Sequence, residues 1–358
     1  MVKEKEKDSF LNTLEKKITD TVPLYCTGYP DSEFIRNYIN AYGIKSEKDK
    51  NLILNKNDYS TIKQIGFDAI SIWDFRRGTG GFKISNELRV DGWGRIFREN
   101  WYQNDGVFKD ENILEKWEHL TLPSKKTIEI LKNFLKNVKS KLDLEPVLSL
   151  PGLFEKTWQS MGLLFFSKCL RYNNIGYIKK VISFFFNYLK ELINILTHGA
   201  GAKIFLVADD CGYKKRLFIS KKVWRRLFFD KYKEITKIVH EKNRKIIIHS
   251  DGYVSNLIDV FVNIGFDAVQ SLESSAGVDI FSIFKKFGNK QICFIGNLDV
   301  SELIYGTPEK VKKYVEKLIF CAKKYKCPLV ISPTQQINSK VKPRNIKIMI
   351  ETARMFSC

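Results

Sequence analysis

The sequence predicts an α/β protein built as a single (β/α)8 TIM barrel, because short apolar runs alternate with helical stretches and end in ionisable side chains. Successive runs are separated by helical stretches of about a dozen residues or more. Three of these runs end at Asp210, at His249 and Asp251, and at Glu273. In a parallel barrel the strands are rigid and their carboxyl ends carry the reacting groups. We therefore expect these side chains to point into one shared cup.

Seven apolar segments have the length and composition of barrel strands, and Val22–Cys26 is expected to supply an eighth. The seven are residues 67–73, 144–150, 203–207, 245–248, 267–270, 291–295 and 328–331. A long helical region over 153–199 has an interruption near Asn173-Asn174. The stretch from Arg76 to Trp101 is rich in Gly, Arg and Trp without a clear period, which predicts a long loop on the active face. Its arginines would bind an anion or form a solvated surface.

The 358 residues show no Gly- or Ser-rich linker and no change of composition that would divide them. Barrels of this size fold as one unit. We therefore expect a charged N-terminal lead-in over residues 1–20, which forms a helical extension, followed by one barrel over residues 21–358.

Composition argues against several classes of protein. No apolar run approaches the roughly 18 residues of a membrane span, and the charged start, Met1–Asp8, lacks the apolar core of a signal peptide. We expect a cytoplasmic protein with neither a membrane nor a nucleic acid as partner, because its net charge of +20 is spread over many helices rather than focused on one face. That charge indicates a lysine-rich solvated surface, or attraction of an anionic substrate or acidic partner. The seven cysteines form no CxxC pair, which predicts reduced thiols.

Short motifs follow one another in the C-terminal part of the chain. They are Asp209-Asp210-x-Gly212, His249-Ser-Asp251-Gly252, Gly296-Asn297-Leu-Asp299, Gly306-Thr-Pro-Glu309 and Ile331-Ser-Pro333. In this order and spacing they resemble the uroporphyrinogen decarboxylase superfamily, which includes the decarboxylase of tetrapyrrole synthesis and corrinoid-dependent methyltransferases. The resemblance implies a (β/α)8 barrel, in agreement with the strand count. Upstream, Val90–Gly94 is similar to the acidic Trp-Gly segment of the methyltransferase-like branch, which implies that Trp93 binds substrate.

Departures from the family motifs favour the methyltransferase-like branch. Decarboxylases of the family hold the carboxylates of their substrate with the two arginines of an Arg-Gln-Ala-Gly-Arg-Tyr motif, whereas the corresponding segment here, Tyr25–Pro30, has no arginine. Thiol-activating methyltransferases hold zinc with a His-x-Cys motif and a distant Cys. Here the first of these motifs reads His249-Ser-Asp251, and the distant position is Thr334 or Gln335. Zinc bound by two thiolates is therefore excluded.

The candidate metal ligands are His249, Asp251 and Glu273, because imidazole and carboxylates bind zinc or harder divalent cations. The alternative is that His249 and Asp251 hydrogen-bond one another or a substrate without a metal. The candidate catalytic residues are Asp210 and His249, together with Asp74, which lies near the position of the family's key aspartate. Adjacent carboxylates can have separated pKa values, although Asp209 would alternatively cap the following helix while only Asp210 faces the cup.

Other candidates are expected to bind substrate rather than to react with it. For Asn297 and Asp299 the neighbouring Gly296 would let the backbone approach a ligand, and a structural turn is the alternative. The full set of candidate substrate-binding residues is Asp251, Glu273, Asp299, Asn297 and Trp93.

Three functions follow from these residues. The first is a methyltransferase that moves a methyl group between a small methylated substrate and a corrinoid carried by a partner protein, with zinc as a candidate cofactor. The second is a uroporphyrinogen decarboxylase, which needs no cofactor. The third is a non-catalytic barrel that binds a small molecule. The sequence leaves open whether the protein forms a homodimer.

Overall fold

The computed structural model describes residues 9–17, 19, 21–45, 49–73, 80–289 and 292–356. The strands are β1 Tyr25–Cys26, β2 Ile53–Leu54, β3 Asn57–Asp58, β4 Ala69–Ile72, β5 Gly81–Lys83, β6 Leu88–Asp91, β7 Arg95–Arg98, β8 Trp101–Gly106, β9 Glu145–Pro151, β10 Ile204–Ala208, β11 Gly212–Tyr213, β12 Arg216–Leu217, β13 Lys245–Ser250, β14 Ala268–Ser271, β15 Cys293–Leu298 and β16 Leu329–Pro333.

The helices surround the barrel and lie mostly between its strands in sequence. They are α1 Ser9–Leu14, α2 Ser32–Tyr42, α3 Tyr59–Ile65, α4 Glu111–Glu115, α5 Lys125–Leu142, α6 Leu153–Met161, α7 Leu163–Arg171, α8 Ile175–His198, α9 Lys221–Glu241, α10 Ile258–Ile264, α11 Ile280–Phe287, α12 Val300–Tyr305, α13 Pro308–Lys324 and α14 Pro343–Met355. No helix in the described part of the chain combines the length and hydropathy that a membrane span requires.

Eight parallel strands form the barrel, in the order β1-β4-β9-β10-β13-β14-β15-β16. The first and last strands meet through a parallel bridge between Leu24 and Ile331, where the Ile331 amide donates to the Pro23 carbonyl at 2.9 Å. The predicted (β/α)8 barrel is confirmed. The Val22–Cys26 segment supplies the eighth strand.

The barrel interior changes from apolar to polar along the strands. Near the amino ends the interior is filled by fully buried side chains such as Ile204, Ile247 and Val330. α1 packs against this end, and its Phe10 ring stacks on the Tyr25 ring with centroids 5.8 Å apart. Towards the carboxyl ends, buried polar residues take over: Thr27, Ser71, His249, Gln270 and Ser332. This polar layer forms the floor of the cup.

The segment from Gly81 to Gly106 is a four-stranded antiparallel sheet, β5-β6-β7-β8, rather than the expected irregular loop. It packs closely on α6, since a Cβ on Gly106 would lie 2.0 Å from the Ser160 carbonyl oxygen. Arg95 binds Asp91 at 2.6 Å and donates to Gln159 at 3.1 Å. This sheet was missed because its strands are short and mostly exposed, so that they show little alternation between apolar and polar residues.

The helical region over 153–199 has the predicted interruption before α8, at residues 172–174. A second break, which was not predicted, separates α6 from α7 at Gly162, whose φ of 80° favours glycine. The cysteines of the described ranges are all free, as expected for reduced thiols.

Candidate functional site

One imidazole and two carboxylates converge in the cup. His249 lies near the end of β13, while Asp210 and Asp251 follow the ends of β10 and β13. The His249 Nε2 atom is 3.8 Å from Asp210 Oδ1 and 3.7 Å from Asp251 Oδ1. We refer to these three residues as the carboxylate–histidine cluster. It joins side chains that come from two neighbouring strands.

Strand register and loop hydrogen bonds hold the cluster together. Ala208 of β10 is paired with His249 of β13, and the Asp209 amide donates to the His249 carbonyl at 2.9 Å. Beyond the strands, the Asp251 amide donates to Asp210 Oδ1 at 2.9 Å. The position of Asp210 is therefore set by the backbone of the loop that carries Asp251.

The His249 ring is oriented by a chain of buried hydrogen bonds. Its Nδ1 atom contacts the Gln270 side-chain oxygen, while Gln270 Nε2 donates to Thr27 Oγ1 at 3.0 Å. Because that oxygen can only accept, Nδ1 carries a proton, and in the neutral ring Nε2 keeps its lone pair. Thr27 Oγ1 lies 3.1 Å from Ser332 Oγ, and the Trp73 ring meets the imidazole edge-on. His249 Nε2 therefore faces the two carboxylates.

Burial and neighbouring charges shift the pKa values of the cluster. Burial raises the pKa of Asp210 to about 6; the positive charge of His249 opposes this rise and the negative charge of Asp251 adds to it. Burial acts to lower the pKa of His249, but Asp251, Asp210 and the Gln270 hydrogen bond outweigh it, and the pKa is raised. The surroundings therefore raise the pKa of both groups, and a carboxyl with a pKa of about 6 suits acid–base chemistry.

The donor set of the cluster fits a divalent cation. One atom from each of Asp210, His249 and Asp251 lies within 4.8 Å of the others. An imidazole nitrogen whose other ring nitrogen is held by a hydrogen bond, together with carboxylate oxygens, is a usual ligand set for zinc or a harder divalent metal. No thiolate belongs to this group: Cys211, the nearest cysteine in sequence, is buried with its Sγ directed to the Asp209 carbonyl.

The two adjacent aspartates of the β10 loop have different roles. Asp209 is fully buried, and its carboxylate accepts from the amides of Phe154 and Glu155 in the first turn of α6 and from the Tyr232 hydroxyl at 2.6 Å. Burial raises the pKa of Asp209 to about 7. Asp209 thus caps α6, which precedes it in sequence, rather than the following helix that the sequence suggested, and α9 is capped by Ser220 instead. Of the two aspartates, Asp210 alone faces the cup.

The remaining predicted residues lie around the cluster or outside it. Glu273 is not in the carboxylate–histidine cluster: its carboxylate accepts from the Gly252 amide at 2.8 Å and from Ser275 Oγ at 3.1 Å. Trp93 is buried beside α8, with its ring against Tyr188. Asp74 lies outside the described residues.

Asn297 and Asp299 make contacts typical of a structural turn, the alternative that the sequence left open. Asn297 is fully buried with a φ of 66°, donates to the Leu272 carbonyl and accepts from Tyr314. Asp299 caps α12 through the Ser301 amide. Burial acts to raise the pKa of Asp299, but hydrogen bonds from Ser275 and Ser301 lower it, so the carboxylate stays charged.

Three cavities meet at the cluster. The first, about 700 Å³, is lined by Thr27, Tyr29, Pro30, Asn57, Tyr59, Ser71, Trp73, His249, Asp251, Gln335 and Gln336. The second, about 920 Å³, lies beyond Asp210 and is bordered by α6, α7 and the β11–β12 hairpin. The third, about 450 Å³, runs between that hairpin and Glu273. Asp210 lines the second and third cavities, and Asp251 the first and third.

Sequence reasoning missed three residues that shape this site. Gln270 is a polar residue of β14, two positions after the inward-facing Ala268, and this spacing marks it as an interior polar group. Trp73 ends the first predicted strand. Glu155 follows the β9 strand end, lines the second cavity and acts electrostatically to raise the pKa of both Asp210 and His249.

Comparison with known proteins places the chain in a family. The family model described as uroporphyrinogen decarboxylase (URO-D) matches residues 167–356, which is more than half of the chain. The chain belongs to the uroporphyrinogen decarboxylase family. The match covers all three residues of the carboxylate–histidine cluster. No curated protein matches the sequence.

Among solved structures, a methyltransferase from Methanosarcina mazei is similar with a TM-score of 0.67 and 14% identity, covering 98% of this chain and 99% of that one. A GH113 β-1,4-mannanase is more distant, with a TM-score of 0.42 and 9% identity over 95% of this chain and 99% of that one. A D-psicose 3-epimerase has a TM-score of 0.42 and 8% identity over 83% and 89% of the two chains. At this identity the methyltransferase shares the fold of this URO-D family member, and the likeness goes no further.

Proposed function

We propose that this protein is an enzyme that transfers a methyl group between a small methylated compound and a corrinoid carried by a partner protein. The observation that carries the proposal is the convergence of Asp210, His249 and Asp251 at the carboxyl end of a URO-D family barrel. An imidazole with a defined tautomer and a carboxyl with a pKa of about 6 can polarise the heteroatom that holds a methyl group.

In the proposed reaction the bond between the methyl carbon and the substrate heteroatom breaks, and the methyl group passes to the corrinoid. The electron pair of the broken bond stays on the heteroatom, which takes the proton of Asp210. His249 Nε2 and Asp251 would hold a divalent cation, which when bound would supply Lewis-acid polarisation of the same heteroatom. Gln270 holds the His249 ring in the orientation that directs Nε2 towards Asp210 and Asp251, with or without a bound cation.

The composition of the first cavity supports this function over decarboxylation of uroporphyrinogen. No lysine or arginine lines it among the described residues, whereas a porphyrinogen with many carboxylates needs cationic partners. Each missing Arg–carboxylate contact removes roughly 1.5–3 kcal/mol, so that two missing contacts cost about a hundredfold or more in binding. A non-catalytic barrel, the third candidate, gives no reason for the raised pKa values of a cluster that faces a cavity.

Anaerobic methyl transfer tests the proposal directly. The protein is incubated with free cob(I)alamin and, in separate samples, methanol, trimethylamine or methoxybenzene, and methylcobalamin is followed by its absorbance. We expect transfer from at least one donor. Conversion of uroporphyrinogen to coproporphyrinogen, or no transfer from any methylated oxygen or nitrogen compound, would overturn the proposal.

Matched variants connect the activity to the cluster. His249→Ala and Asp251→Ala should abolish transfer and lower the bound divalent metal measured after purification. His198→Ala and Asp230→Asn are the controls, because both side chains are exposed on helices away from the cup. Full activity of His249→Ala would show that the reaction takes place elsewhere.

A further inference from the structure

The second cavity has the size and lining of a small-molecule subsite. Its volume of about 920 Å³ falls within the range of roughly 300–1,000 Å³ that is usual for ligand pockets. It is bordered by α6, α7 and the β11–β12 hairpin, and Asp210 connects it to the carboxylate–histidine cluster. The lining residues that matter below are Glu155, Trp158, Ser167, Asp210, Arg216 and Phe218.

Aromatic and aliphatic side chains form most of its wall. The Trp158 and Phe218 rings are stacked, with centroids 4.9 Å apart and planes 22° apart. The Tyr213 ring meets Phe218 edge-on at 6.4 Å. The other apolar lining residues are Leu163, Phe166, Leu170, Leu217 and Ile219. Flat apolar surfaces of this kind favour an aromatic ring as ligand, because stacked and edge-on ring contacts add to the gain from apolar burial.

Among the described residues that line the cavity, Glu155 and Asp210 are acidic and Arg216 is the one cation. The Glu155 carboxylate is 3.5 Å from Lys156 Nζ and accepts from Gln159 Nε2 at 2.5 Å, so it has two polar partners within α6. Arg216 lines the same cavity from the hairpin and forms no ion pair among the described residues. A guanidinium in that situation is a good partner for a carboxylate or another anion.

A close glycine contact and two backbone hydrogen bonds hold the hairpin wall of the cavity. A Cβ on Gly212 would lie 2.6 Å from the Asp251 carbonyl oxygen, so the hairpin base packs directly on the loop that carries the cluster. The Tyr253 amide donates to the Lys214 carbonyl at 3.0 Å, and the Phe218 amide donates to the Cys211 carbonyl at 2.9 Å. Backbone contacts with the loop that carries the cluster therefore hold the hairpin wall of the cavity.

We propose that the second cavity binds the ring of an aromatic methyl ether that carries a negative group. The ring lies against Trp158 and Phe218, the negative group lies near Arg216, and the ether oxygen is directed to Asp210. This names the substrate class and rests on the proposed function. In the reaction the bond between the ether oxygen and the methyl carbon breaks, and the methyl group passes to the corrinoid. The oxygen keeps the electron pair and leaves as a phenolate, which takes a proton from water.

Binding of para-methoxybenzoate, measured by calorimetry without any corrinoid, tests the subsite. Ser167→Trp should abolish binding by filling the cavity from an exposed position on α7. Leu164→Trp is the matched control, because Leu164 is 69% exposed on the same helix and does not line the cavity.

Arg216→Gln should weaken binding of para-methoxybenzoate about tenfold and leave binding of neutral methoxybenzene unaffected, since one charge-assisted contact is lost. Arg225→Gln, on the exposed face of α9, should change neither.

The outcomes separate the two proposals. If para-methoxybenzoate binds in the cavity but no methyl reaches cob(I)alamin, the subsite stands and the methyltransferase function fails. If methanol or trimethylamine is demethylated while para-methoxybenzoate does not bind, the function stands and the subsite is refuted. Equal affinity of the wild type and Ser167→Trp for para-methoxybenzoate would also refute the subsite.

Discussion

At the scale of single residues, the site depends on how neighbouring polar groups divide their tasks. Asp209 and Asp210 are adjacent in sequence, yet Asp209 is fully buried as a helix cap while Asp210 is half-buried and lines two of the cavities. His249 is oriented by Gln270, which leaves its Nε2 atom for the carboxylates. The chemistry of the cup therefore comes from one member of the aspartate pair and one side of the imidazole ring.

The raised pKa of Asp210 predicts a pH dependence for methyl transfer. The proposed mechanism requires the protonated carboxyl, and its pKa is about 6, so the rate should fall as the pH rises through about 6. Asp210→Asn should remove this pH dependence and lower the rate by about a hundredfold to ten-thousandfold, the usual effect of a lost general acid. Rates measured between pH 5 and 8 with a saturating methyl donor test this, and a rate that rises with pH over this range would contradict it.

At the scale of secondary-structure elements, loops and helix ends connect distant parts of the chain to the cluster. The β10 loop caps α6, and the first turn of α6 brings Glu155 to the second cavity. The antiparallel sheet from Gly81 to Gly106 is joined to α6 through the Arg95–Gln159 contact. α6 therefore contacts that sheet and also forms part of the wall of the second cavity.

Loss of the cap that Asp209 supplies should destabilise the protein. In Asp209→Ala the amides of Phe154 and Glu155 and the Tyr232 hydroxyl lose a buried acceptor. Because each unsatisfied buried group costs about 1–3 kcal/mol, we expect the free energy of unfolding to fall by about 3 kcal/mol or more. Urea unfolding measures this. Asp31→Ala, which removes the exposed cap of α2, is the control, with an expected loss of about 1 kcal/mol. Equal losses would contradict a special role for Asp209.

At the scale of the whole molecule, the barrel is closed at its amino end and open at the end that carries the cluster. The apolar interior and α1 fill the first end, and the polar layer lines the second. This separation lets the amino end carry stability while the carboxyl end carries polar groups that a well-packed core would exclude.

Phe10 of α1 should therefore be important for stability and not for chemistry. Its ring is 1% exposed and packs on Tyr25 inside the barrel, so Phe10→Ala should lower the free energy of unfolding by about 3–5 kcal/mol. Phe320→Ala is the control: that ring is 69% exposed, and its loss should change stability by no more than about 0.5 kcal/mol. Chemical denaturation of both variants measures these changes in the free energy of unfolding. An unchanged free energy of unfolding in Phe10→Ala would show that α1 does not stabilise the barrel.

Local patterns were sufficient to predict the architecture and part of the candidate site. A barrel strand is marked by a local signal, an apolar run such as 245–248 followed by ionisable residues. The eight strands, and the position of His249, Asp210 and Asp251 at strand ends, could therefore be predicted from the sequence. The weakly alternating strands from Gly81 to Gly106 could not, because exposed cross-strand pairs leave little signal.

Tertiary structure alone decided which groups contact one another. The hydrogen bond between Thr27 and Ser332 joins residues 305 positions apart, and the bond from the Glu155 amide to Asp209 spans 54. Nothing in a local pattern assigns Asp209 to the cap of α6, which lies more than fifty residues earlier in the chain, or directs Glu273 to the Gly252 amide. The sequence by itself determined a barrel with ionisable strand ends; the closure of that barrel, which brings separate loops within hydrogen-bonding distance, determined the cluster and its cavities.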